Sequence, residues 1–175
     1  MSVLLSDCHP ALASRWAEVA RVYARRFAPW FLRVTFTLRT EAEQRALYAQ
    51  GREALGVVNT LRKEAKLGPL TPEANQRTVT DLDGVTHRSN HQGVLYGGRL
   101  LSTALDFVPA IDPDGPAGPL KVRVDYEDAV RFRSVGALAI REGLIWGGTW
   151  RKPDMPHVEL PDELIEREPL PQRVA

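Results

Sequence analysis

Between positions 10 and 27 apolar residues recur every three or four places, and Leu12, Trp16, Val19, Ala20 and Tyr23 fall on one face. That spacing predicts a first helix with one buried stripe, ended by Pro29. The period then drops to two. Residues 32–38 (Leu-Arg-Val-Thr-Phe-Thr-Leu) alternate apolar and polar with β-branched members, as a half-buried strand does. Thr40-Glu41-Ala42-Glu43 is a capping box, with Thr40 as N-cap and Glu43 at the third helical position. The helix it starts is expected to bury Ala42, Ala46 and Ala49, with Leu47 beside them, and to stop near Gly51. A further helical run spans about 57–67 and ends at Gly68-Pro69.

From 68 to 98 the chain is rich in Gly, Pro, Asn, Thr and Ser, which predicts long loops. Residues 104–108 form a short apolar strand, 111–116 carry turn chemistry, and 120–124 alternate like another strand. Over 126–141, Ala129, Phe132, Val135, Leu138 and Ala139 recur at helical spacing, and Gly143 stops that helix. Residues 144–146 and 157–160 are the last strands, and the Pro-containing tail from Pro161 lies over the surface or frays. There is no internal repeat. The expectation is an α+β single domain over 1–160, a small antiparallel sheet flanked by helices, with a tail over 161–175.

A chain of 175 residues is long enough for one real hydrophobic core. With 23 basic against 22 acidic residues, net charge gives no general affinity for nucleic acid or anionic membrane. Arginines gather towards the N-terminal part (Arg15, Arg21, Arg25, Arg26, Arg33, Arg39) and read as a solvated face. Cys8 is the only cysteine, so an internal disulfide and a multi-cysteine zinc site are both excluded. The first residues lack a basic region and a long apolar run, so no signal peptide, membrane span or export out of the cytoplasm is expected from them.

The chemistry-bearing residues are fewer. His91 lies in a polar loop in Ser89-Asn90-His91, and His157 opens a strand after Pro156. Asp106 interrupts the apolar run Ala104-Leu105-Asp106-Phe107-Val108, where a carboxylate is costly unless it is paired or holds a metal. A catalytic zinc takes three protein ligands and leaves one position for water. Asp154, three residues before His157, stands where it could act on that water. Along the last strand His157 and Glu159 share a side, so Glu159 is a candidate partner for the histidine. His9 and His87 read as ordinary packed or exposed residues. Spacing alone leaves two readings open: a His-Asp-His metal site of a hydrolase, or packed histidines near a paired acid.

Taken together, Ser89-Asn90-His91, Ala104-Leu105-Asp106 and Asp154-Met155-Pro156-His157 resemble the ordered motifs of the zinc D-Ala-D-Ala carboxypeptidase and L-alanyl-D-glutamate endopeptidase superfamily, most of all its phage endolysin branch. The tract Gly143-Leu144-Ile145-Trp146-Gly147-Gly148-Thr149-Trp150 resembles the same branch, as does Leu38-Arg39-Thr40 followed by Gln44, Leu47-Tyr48 and Gly51-Arg52. Departures are the long stretch between His91 and Asp106, Thr37 in place of a glycine, and Thr149 in place of an aspartate.

The resemblance implies a Hedgehog/DD-peptidase-like fold and zinc (Zn2+) held by His91, Asp106 and His157. It implies that Asp154 takes a proton from the attacking water, and that Arg39 stabilises an oxyanion or holds a substrate carboxylate, with Ser89 aiding substrate binding. The expected partner is the peptide stem of bacterial peptidoglycan, cut at the L-alanyl-D-glutamate bond by a monomeric lysis enzyme. Such an enzyme accumulates in the cytoplasm and reaches the wall during lysis with the help of a holin. One rival is a D,D-carboxypeptidase removing terminal D-Ala. Another, of a different class, is a non-catalytic zinc-containing wall-binding module.

Overall fold

The computed structural model describes residues 1–112, 123–124 and 126–168. In chain order the elements are α1 (Pro10–Arg26), β1 (Trp30–Phe36), α2 (Glu41–Ala49), α3 (Leu55–Glu64), β2 (Val94–Tyr96), β3 (Arg99–Leu101), β4 (Ala104–Ile111), β5 (Arg123–Val124), α4 (Ala129–Arg141), β6 (Ile145–Trp146) and β7 (His157–Glu159). The expected turn after Ile111 and the start of the strand expected over 120–124 lie outside the described residues, as do the tail prolines Pro169 and Pro171.

α1 starts with Pro10 at its first position, where the missing N–H costs nothing. The imidazole of His9 caps it by accepting from Ala11 N. Its stripe Leu12, Trp16, Val19 and Tyr23 is fully buried against the sheet and α4. There Trp16 meets Phe107 at a centroid distance of 4.9 Å, and Phe107 meets Phe132 at 5.5 Å. Each such ring stabilises the fold by roughly 1.5–3 kcal/mol through the apolar area it removes from water.

The sheet is antiparallel in the order β1-β4-β7-β6, with β5 on the far half of β4. β4 is its spine: β1 runs along one edge, while β7 pairs at Ala104, Leu105 and Asp106 on the other. Leu105 and Phe107 belong to the core beneath α1. Asp106, between them, must face the other way. This is the α+β fold expected, with helices packed around a small sheet.

Some local expectations fail. The first strand begins at Trp30 and ends at Phe36, because the pairing with β4 shifts register between Val34 and Phe36 and the chain then turns towards Ser2. The capping box on α2 is present in both directions. Ala42, however, is exposed, and the buried face of α2 carries Glu43 and Gln44 beside Ala46 and Ala49. The stretch 68–98 is not all loop. Its end joins a hairpin, β2–β3, turned by Gly97 and Gly98, both at positive φ as a two-residue hairpin turn requires. This hairpin accounts for the long stretch between His91 and Asp106. Its base is closed by Thr103 N donating to Asn90 O at 3.1 Å, so the extra length does not separate the two residues. Beyond the last strand, Leu164 and Ile165 pack against the core, and Glu168 reaches the same hairpin, accepting from Gly97 N at 2.7 Å.

Trp146, at the end of β6, is clamped between two glycines. A Cβ at Gly136 of α4 would stand 2.2 Å from its indole, and one at Gly148 also 2.2 Å. Gly136→Ala therefore overpacks this contact, at a cost of about 1–3 kcal/mol. We expect a melting temperature lower by several degrees; an unchanged melt would show that the indole has room to shift.

Candidate active site

The centre of the site follows from strand register. Asp106 on β4 and His157 on β7 are direct cross-strand partners, so their side chains stand side by side on one face. His157 Nδ1 lies 3.0 Å from Asp106 Oδ1. Glu159, two residues on and on the same face, accepts from His157 Nε2 at 3.0 Å and from Asn90 Nδ2 at 2.8 Å.

His91 arrives from a separate element, a single 3-10 turn over Asn90–Gln92. Ser89 caps that turn, and Gln92 answers with its side chain to Ser89 N, so the turn is closed from both ends. His91 Nδ1 donates to Thr37 O at 2.8 Å, which turns Nε2 towards Asp106 Oδ1, 3.3 Å away.

The three residues thus offer ligand atoms within 4.8 Å of one another. Each histidine has its outer ring nitrogen committed to an acceptor, the arrangement that orients imidazoles towards a metal. The electrostatics ask for a cation as well. Burial opposes the charged form of His157, yet hydrogen bonds to Asp106 and Glu159 prevail and push its pKa up to about 9. Burial likewise works against the Asp106 carboxylate, and its bonds with His157 and His91 hold it well below the usual range all the same. A proton on His157 Nδ1 occupies the place a metal would take, and the two compete for it. Two imidazoles and a carboxylate, with no thiolate, form a donor set that suits zinc.

Asp154 is brought alongside by a tight turn. His157 N donates to Asp154 O at 3.2 Å, and Asp154 N donates to Gly147 O at 3.0 Å. Gly147 has to be glycine here, since a Cβ would lie 2.6 Å from Asp154 O. Trp146 Nε1 donates to Met155 O at 2.9 Å and fixes the same turn from beneath. The turn at Met155-Pro156 overcomes the odd spacing that would put Asp154 and His157 on opposite faces of an extended chain. Although Asp154 is exposed as a residue, its carboxyl faces the cleft, where burial raises its pKa and the attraction of His157 limits the rise.

These groups line a cleft of about 680 Å³. One wall is the loop over residues 78–82, and the other runs from Trp150 through Lys152 to Asp154. Arg39 enters from the end of the β1–α2 connection, 9% exposed, with Nη1 donating to Gln44 Oε1 at 2.8 Å and Nε without a partner among the described residues. Burial lowers its pKa, and the carboxylates Asp106, Glu43 and Asp154 oppose that. Ser89 also borders the cleft, its hydroxyl accepting from His91 N at 3.3 Å. His9 and His87 lie apart, the first under α1 and the second exposed beside Asp83.

Sequence reasoning assigned no role to several cleft residues. Trp150 packs its ring 5.0 Å from that of His157 while remaining 39% exposed. Asn90 steadies Glu159, and Asp81 reaches across the cleft to Lys152 Nζ at 3.2 Å. Only Trp150 carried a local signal, its place in the Trp-Gly-Gly-Thr-Trp tract.

A family model described as D-alanyl-D-alanine carboxypeptidase matches residues 83–160, a span that holds His91, Asp106, Asp154 and His157. No curated protein matches the chain.

Proposed function

We propose that this chain, whose residues 83–160 match a family model described as D-alanyl-D-alanine carboxypeptidase, is a zinc metallopeptidase of peptidoglycan that cleaves the stem peptide at the L-alanyl-D-glutamate bond, in the service of phage lysis. The observation that carries this reading is the extent of the cleft. Its volume of about 680 Å³ and its two walls accommodate a short stretch of peptide running across the His-Asp-His cluster.

In this reading His91 Nε2, Asp106 and His157 Nδ1 hold the zinc, and Thr37 O and Glu159 keep the two rings in the tautomer this needs. Bound zinc supplies Lewis acidity, which makes water a nucleophile near neutral pH. Asp154 takes the proton of the attacking water and delivers it to the departing amine. Its raised pKa suits both halves of that task. Arg39 lines the cleft beside the cluster and holds either the developing oxyanion or the free carboxylate of the D-glutamyl residue beside the scissile bond. Ser89 acts on substrate indirectly, by seating His91, or directly from the cleft wall.

The family description favours a second reading, removal of terminal D-Ala. Mass analysis of a peptidoglycan digest separates the two. New D-glutamyl N-termini support the endopeptidase, and free D-Ala without them replaces it by the carboxypeptidase. Among the described residues no helix is long and apolar enough to cross a membrane.

A further inference from the structure

Three residues of the N-terminal motif, Gln44, Gly51 and Arg52, take no part in the chemistry above, yet all three grip the same piece of chain. Gln44 has no exposed surface, and a buried amide is costly unless its polar atoms are paired. Its Oε1 accepts from Arg39 Nη1 at 2.8 Å, while Nε2 donates to Leu82 O at 2.6 Å and lies 3.3 Å from Thr80 Oγ1. A guanidinium can only donate and a carbonyl only accept, so the orientation of this amide is fixed. Gly84, at φ 81°, packs so closely that a Cβ there would stand 2.4 Å from Gln44 Cγ.

The rest of the motif holds the same loop. Arg52 donates to Thr80 O at 2.9 Å and to Asp81 Oδ1 at 3.1 Å. Gly51 lies against Thr78, where a Cβ would come within 2.7 Å of the backbone nitrogen. From the other side Gln92, in the turn that carries His91, donates to Gly84 O at 2.9 Å. The loop over 78–82 is the cleft wall facing Trp150 and Asp154.

We propose that Gln44 is a positioning residue that couples Arg39 to this wall: one amide both aims the guanidinium and seats the strip of chain along which the peptide lies. The proposal rests on reading the cleft as a peptide site. Without Gln44, Arg39 loses its side-chain acceptor and is free to swing towards Asp106 and Asp154, whose charges attract it.

The test uses the zinc-loaded full chain and peptidoglycan. Gln44→Leu is expected to lower kcat/KM about 10- to 100-fold at unchanged zinc content, the scale seen when a positioning contact is lost. Gln44→Glu keeps an acceptor for Arg39 but meets Leu82 O with an oxygen, so it regains much of kcat while KM stays raised. In an Arg39→Ala background Gln44→Leu should cost kcat about twofold or less, because its effect on kcat runs through Arg39, while the rise in KM that comes from the wall persists. Equal losses of kcat in both backgrounds, or a Gln44→Glu variant no better than Gln44→Leu, would overturn the proposal.

A second measurement is independent of turnover. The Nε–H NMR signal of Arg39, assigned by its absence from Arg39→Ala, should broaden or vanish in Gln44→Leu and persist in Gln44→Glu. A signal unchanged in Gln44→Leu counts against the coupling. Wild-type protein that leaves peptidoglycan intact refutes the functional reading alone, and the NMR comparison still decides whether Gln44 holds Arg39.

Discussion

His157→Ala is expected to lose both bound zinc and lytic activity while keeping its fold. The histidine sits between Asp106 and Glu159, each 3.0 Å from one of its ring nitrogens. Removing it takes one ligand from the three and also leaves two acids with no imidazole between them. Electrostatic repulsion then disfavours the arrangement that the remaining ligands need. Wild-type protein should carry about one zinc per chain by elemental analysis, and the variant far less. The side chain faces the cleft, outside the apolar cluster around Trp16 and Phe107, so circular dichroism should be unchanged. His87→Ala is the matched control, since that histidine is exposed and lies apart from the cluster, beside Asp83. Full zinc content in His157→Ala would remove His157 from the ligand set and make Glu159 the acid to examine next.

The parts of this site that periodicity could reach were legible in the sequence. Asp106 stood out as a charge in an apolar strand, and the period of two put His157 and Glu159 on one side, as β7 places them. The Thr40 capping box set the start of α2 because it is a strictly local hydrogen-bond exchange. What local pattern could not supply was the pairing of distant segments. Opposition of Asp106 to His157 depends on β4–β7 register across 51 residues, which no window of sequence contains. For that reason spacing alone left the metal site undecided, and only the joint order of motifs in a known family suggested it.

Other misses have particular causes. Val94-Leu95-Tyr96-Gly97-Gly98-Arg99-Leu100-Leu101 is a hairpin signal, two short apolar runs around a Gly-Gly turn, but it was submerged in a stretch dominated by turn-forming residues. Ala42 was expected inside because alanine recurs at positions 42, 46 and 49. The helix instead turns Glu43 and Gln44 inward, because polar work has to be done there: one closes the cap and the other holds Arg39. A buried polar face defeats any reading that equates burial with apolarity.

Asp154→Asn should retain zinc and fold but lose about 10²–10⁴-fold in turnover, the usual contribution of general acid–base catalysis. The turn that carries this residue is held by backbone atoms, Asp154 N to Gly147 O and His157 N to Asp154 O, so an isosteric amide leaves it intact. What disappears is the ability to accept a proton. Acid dependence gives the same test a second arm. A base must be ionised to act, so wild-type kcat/KM should fall as pH drops through the pKa of Asp154. Burial raises that pKa, so the fall should be centred above the ordinary aspartate value of about 3.9. The residual activity of the asparagine variant should lack this limb. Glu159 is the weaker alternative, because its bonds from His157 and Asn90 outweigh burial, lower its pKa and commit its carboxylate. Unchanged turnover in Asp154→Asn would shift the role to Glu159 despite that, and loss of zinc from the variant would make Asp154 a ligand rather than the base.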